Sequence, residues 1–194
     1  MLASGGGNGG LTIFQIADNG SISEVPGSPF SSSAPVGVVE NNCAGNLVFA
    51  GGFGFIDVFS LAANGNLTPV PGSPFSDGQA HFDMALSPAN QFLFTSGGFA
   101  QTDSVFTIAA NGTLSQIAGS PFPLPDFTGG LATTPKGDFL YTALFISGSV
   151  DGEKVGADGT LTPVTGTPFS TNENSIAGLV ESVATFPAPS CSKH

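Results

Sequence analysis

One segment recurs four times along the chain with little change, and it fixes what the chain can fold into. Pro26-Gly27-Ser28-Pro29-Phe30 returns as Pro71-Gly72-Ser73-Pro74-Phe75, then as Ala118-Gly119-Ser120-Pro121-Phe122 and Thr165-Gly166-Thr167-Pro168-Phe169, at spacings of 45, 47 and 47 residues. A period of this length marks a repeat architecture. Upstream of each copy stands a turn dipeptide: Asn19-Gly20, Asn64-Gly65, Asn111-Gly112 and Asp158-Gly159. Asn-Gly and Asp-Gly between alternating apolar runs predict two-residue type I′ hairpins, because both residues take positive φ cheaply. The strands flanking them are residues 11–16, 55–61 and 104–108 before the turn, and 22–25, 67–70, 114–117 and 161–164 after it. Two further strands per period are expected at 36–39, 82–86 and 128–132, and at 47–50, 92–95 and 139–142. Four short antiparallel strands in one such period make a blade of a β-propeller, an all-β fold.

Composition agrees with this and removes other classes. The 28 Gly and 15 Pro in 194 residues exclude a helical bundle, and the 18 Phe within a 40% hydrophobic chain argue against disorder. With 3 Lys+Arg against 14 Asp+Glu, a net charge of −11 and no arginine, a nucleic-acid partner is excluded. No apolar run approaches the length of a membrane span. The start, Met1-Leu2-Ala3-Ser4 and a Gly-rich tract, lacks the regions of a signal peptide, so residues 1–10 are expected as a flexible leader. Cys43 and Cys191 have no zinc-like spacing; a disulfide and two unrelated thiols both remain open.

The order Ser/Thr-Pro-x-x-x-Phe-Leu-Phe/Tyr (87–94, 134–141), apolar strand, Asn-Gly turn and Leu67-Thr68-Pro69-Val70 before the Pro-Gly-Ser-Pro-Phe box resembles the bacterial lactonase-like β-propellers, 6-phosphogluconolactonase-like proteins with YVTN-type repeats. The resemblance covers residues 11–180 or so. It implies a seven-bladed ring with acid/base residues around a central channel, and it speaks to fold more than to activity.

With blade strands lettered a to d from the axis outward, the chain begins at c and d (11–30), passes three whole blades (34–75, 80–122 and 127–169) and closes with inner strands at 176–186 before a tail at 188–194. Split blades of this kind close a ring by pairing the two ends. Three whole blades and one composite make four, so the chain is a fragment, a four-bladed ring, or one of several copies that complete each other's strands as a ring or filament.

A sugar-phosphate lactone needs cations to hold its phosphate, and here only Lys136, Lys154 and Lys193 exist, so that part of the family activity is expected to be absent. His81 and Asp83, at the start of an inner strand, and Asp126 one blade later are the candidates for general acid/base work, set against a hydrogen-bonded structural cluster as the plainer reading. The scattered acids form no calcium loop and no other metal motif, and no cofactor is implied. Asn19, Asn66 and Asn111 satisfy the glycosylation pattern on successive c–d hairpins, though hairpin chemistry alone also produces such triplets. The Phe of each box is expected to fill space between adjacent sheets. The sequence therefore predicts an extracellular or cell-surface propeller, a structural, self-assembling or binding module without catalysis. The alternatives are a hydrolase of an uncharged lactone, and a propeller whose loops take a glycan or a protein.

Overall fold

A computed structural model describes residues 2–6 and 10–171. They form four antiparallel sheets in sequence, with one short 3₁₀ turn at Gly98–Ala100. The second sheet runs outward as Val36–Asn41, Leu47–Gly52, Ile56–Leu61 and Leu67–Pro69. The third repeats this with Asp83–Leu86, Phe92–Ser96, Thr102–Ile108 and Leu114–Gln116, and the fourth with Thr128–Thr133, Phe139–Leu144, Ser149–Val155 and Leu161–Pro163. Their first strands lie side by side as the innermost layer. This is a β-propeller architecture.

In the first sheet Gly10–Ile16 and Ile22–Glu24 are strands c and d, and Leu2–Gly6 pairs with Gly10–Ile16 in the position of strand b, Leu2 opposite Phe14. The expected flexible leader is thus a strand over Leu2–Gly6. Glycines carry no apolar pattern to announce it, but the unpaired edge of Gly10–Ile16 offers a full ladder of hydrogen bonds. The expected closing strands at 176–186 and the tail at 188–194 lie outside the described residues.

The hairpins differ from expectation in one respect. Only the glycine of each turn has positive φ, Gly20 at 82°, Gly65 at 88°, Gly112 at 85° and Gly159 at 87°, while the preceding Asn or Asp does not. Ala17 and Ser21 close the loop, and Gly20 N–H donates to the Ala17 carbonyl. The turn is therefore a type I turn followed by a glycine bulge rather than type I′. The Asn or Asp instead uses its side chain, accepting the N–H two residues on: Ser21, Asn66, Thr113 and Thr160.

Each box folds back on strand c of its own sheet. The Ser or Thr hydroxyl of the box accepts a strand-c N–H (Ser28 from Ile13, Ser73 from Val58, Ser120 from Val105, Thr167 from Gly152) at 2.7–3.0 Å. The following Phe30, Phe75 and Phe122 pack against the three apolar clusters between consecutive sheets, as expected, whereas Phe169 on the last sheet stays 40% exposed.

Those four hydrogen bonds set the repeats in register, and the register exposes an exception. Leu11, Ile56 and Val150 stand where the third sheet has Asp103, and Phe14, Phe59 and Phe106 where the fourth has Glu153. The space between the first and second sheets, and between the second and third, is filled by such apolar side chains. Between the third and fourth sheets, Asp103, Glu153 and Asp151 are buried alongside the apolar cluster, with Thr142 donating its hydroxyl proton to Asp103. One oxygen of Asp103 and one of Glu153 have no hydrogen-bond partner.

Candidate functional site

The innermost strands carry two half-buried carboxylates. Asp83 opens its strand in the register that Val38 holds one sheet earlier. One of its oxygens accepts the Met84 N–H and the other the Leu131 N–H of the next inner strand, both at 2.9 Å. Leu131 can reach it because the ladder of Thr128–Thr133 shifts register between Thr128 and Leu131, so that Gly129 and Gly130 bulge. Burial raises the Asp83 carboxyl above its ordinary value, and those two N–H groups hold it down. Glu40 lies on the neighbouring inner strand, opposite Phe49, where the later sheets have Ala85 and Ala132. Its carboxyl is pushed up to about 7, by burial first and by the negative charge of Asp83 second. Two interacting carboxylates with different N–H support titrate apart, one as base and one as acid.

Beside Asp83 opens a recess of about 350 Å³ walled by Phe82, Phe99, Phe127 and Phe145 and floored by Gly129 and Gly130. Phe99 stands edge-to-face on both Phe82 (ring centroids 5.2 Å apart) and Phe127 (5.3 Å). It is presented by the 3₁₀ turn, which is anchored where the Gly98 N–H donates to Thr128 Oγ1 at 2.8 Å. Gly98 is required twice over: its φ is +56°, and a Cβ there would lie 2.1 Å from the Phe82 ring.

The sequence candidates fall in different places. Asp83 lines the recess, but His81 does not share its site: its imidazole is fully buried 3.4 Å from Asp77, its ring nitrogens make no hydrogen bond, and burial lowers its pKa. Asp126 accepts the Phe127 N–H at 2.7 Å and the Ser147 N–H at 2.6 Å, so it holds one wall of the recess, Phe127, and does not itself line it. Asn19, Asn66 and Asn111 are exposed at hairpin tips. Cys43 is not a free thiol; Cys191 lies outside the described residues. Among the described residues no His/Cys/Asp/Glu group is placed to hold a metal ion. Sequence reading missed Glu40, because the apolar run it belongs to ends at Val39, and the Phe recess, because its four rings come from four separate segments. The strand alternation extended by one residue would have found Glu40.

No family model and no curated protein sequence matches the chain. Solved structures do. A Lactobacillus plantarum protein superposes with a TM-score of 0.70 at 18% identity, over 87% of this chain and 54% of its own. A candidate 6-phosphogluconolactonase from Bacteroides fragilis follows at 0.63 and 22% over 78% and 46%, and a periplasmic gluconolactonase from Pseudomonas aeruginosa at 0.64 and 19% over 80% and 48%. The class is therefore the β-propeller. Within it, the fold is the lactonase-like one, and this chain spans about half the length of the proteins it matches. Among the described residues no helix is long and apolar enough to cross a membrane.

Proposed function

We propose that the chain is part of a lactone hydrolase whose chemistry is carried by Asp83 and Glu40 on the inner strands. The observation that carries this reading is the interacting pair itself: two partly desolvated carboxylates, Glu40 raised to about 7 and Asp83 lining an open recess. The likeness to gluconolactonase-type structures supports it over a purely structural or self-assembling module. Asp83, ionised, takes a proton from water as the water oxygen bonds to the lactone carbonyl carbon. The bond from that carbon to the ring oxygen then breaks, and the departing alkoxide takes the proton of Glu40, giving the hydroxy acid.

Hydrolysis of neutral lactones followed in a pH-stat tests this. Asp83→Asn is expected to lower kcat/KM by about 10²–10⁴-fold. Glu40→Gln, keeping the shape but not the proton, should lower activity as well and remove the alkaline limb of the profile near pH 7. Wild-type protein that opens no lactone overturns the reading.

A second set of observations supports self-association and a setting outside the cytoplasm. The last sheet leaves the box Phe169 exposed where each earlier box packs on a following sheet. Cys43 is not a free thiol, and three glycosylation triplets sit on exposed tips. The exposed Phe169 supports sheet completion by a further copy, and the cysteine and the triplets support the setting outside the cytoplasm.

A further inference from the structure

We infer that the recess beside Asp83 is the subsite for an apolar substituent, so that the substrate is a neutral lactone bearing an alkyl or aryl side chain rather than a polyhydroxylated sugar lactone. This rests on the hydrolase reading above and names its substrate class.

Only two polar side chains line the recess, and each is already partly engaged: both Asp83 oxygens accept a backbone N–H, and Thr128 Oγ1 accepts the Gly98 N–H. A sugar hydroxyl placed there would lose its water and find few new partners, which costs more than the contact returns. The remaining walls are aromatic. Phe99 is 67% exposed and Phe82 44%, an arrangement that a soluble surface gains by covering. Phe99 stacks edge-to-face on both Phe82 and Phe127, which holds the three rings as a preformed cup, so little order is lost when a chain slides between them. The bulge of Gly129 and Gly130 keeps the floor free of side chains, and about 350 Å³ suits a small molecule rather than a peptide. No lysine lines the cup, while Asp83 stands at its edge and Glu40 near Asp83, so an anionic substituent is repelled.

The experiment separates binding from turnover. Binding of γ-lactones with methyl, butyl and hexyl substituents, of the unreactive 2-alkyl tetrahydrofurans of the same lengths, and of glucono-δ-lactone is measured by calorimetry on the wild-type chain and on Phe99→Ala and Phe127→Leu. Affinity is expected to rise about fourfold per added methylene in both series and to exceed that for gluconolactone. Phe99→Ala should flatten the dependence on chain length while leaving the melting temperature in place, since most of that ring is exposed; Phe127→Leu, which keeps an apolar wall, should flatten it less. Affinity independent of chain length, tighter gluconolactone binding, or no binding at all overturns the subsite. Chain-length-dependent binding of the ethers without hydrolysis of any lactone leaves the subsite standing and overturns only the hydrolase reading.

Discussion

Asp83 and Gly98 show how much of the site a single residue decides. Asp83 comes forward in the sequence as one of a pair with His81 at the start of an inner strand, and the fold places it on that strand beside the recess. Its pairing with Glu40 was not legible, because the two belong to different repeats 43 positions apart and meet only when inner strands line up. His81, which sequence proximity pairs with Asp83, turns instead to Asp77 in a dry environment where the neutral imidazole is favoured. Gly98 carries a sharper prediction. Alanine there must accept a φ of +56° and drive the Phe82 ring aside. Gly98→Ala is expected to destabilise the chain by about 1–3 kcal/mol in chemical denaturation. It should also weaken binding of alkyl lactones more than Gly54→Ala, a control whose φ is likewise positive, at +84°, but with open space around it.

At the scale of the element, the repeat made strands, hairpins and sheet order readable, since apolar alternation and turn glycines recur at matching offsets. What it hid was the turn type, because type I with a glycine bulge and type I′ both use Asn-Gly, and the strand at Leu2–Gly6, whose pairing comes from backbone alone. The exception between the third and fourth sheets has a measurable consequence. Asp103 is pushed up to about 7 and Glu153 to about 8, in each case by burial first, and Asp151 is raised as well. The nearest cation in sequence, Lys154, is exposed on the opposite face of the strand. In the unfolded chain these groups ionise near pH 4, so between there and about 8 the folded state binds more protons than the unfolded state. Stability is therefore greatest at acid pH and falls as pH rises through that window. Melting temperatures across pH 4–9 should decline steadily. Glu153→Gln, which keeps the shape and cannot ionise, is expected to regain on the order of 3 kcal/mol at pH 8 and little at pH 4. A wild-type chain that is more stable at pH 8 than at pH 5 contradicts the account.

For the whole molecule, the number of sheets matters more than any one of them. The register of the boxes shows that each sheet presents one face to the next: Phe30, Phe75 and Phe122 fill successive gaps, and Phe169, with Tyr141 against Gly152, presents the same face with no described sheet beyond it. At the other end the first sheet turns Ile16 and Ile22, 51% and 55% exposed, away from the second. Two opposite apolar faces on one unit are what a head-to-tail contact between copies would need, and such a contact closes as a ring or runs on as a filament. This chain spans about half the length of similar solved structures, and a further copy stacked on an open face would extend its row of sheets. We therefore expect light scattering after gel filtration to give twice 19.3 kDa, or a larger multiple, at micromolar concentration. Phe169→Asp, which places a charge in the proposed contact and touches neither Asp83 nor the Phe cup, should reduce it to one chain while circular dichroism retains the β spectrum. A monomer at every concentration would return the open faces to solvent and leave the paired carboxylates, not assembly, as what this half-length propeller offers.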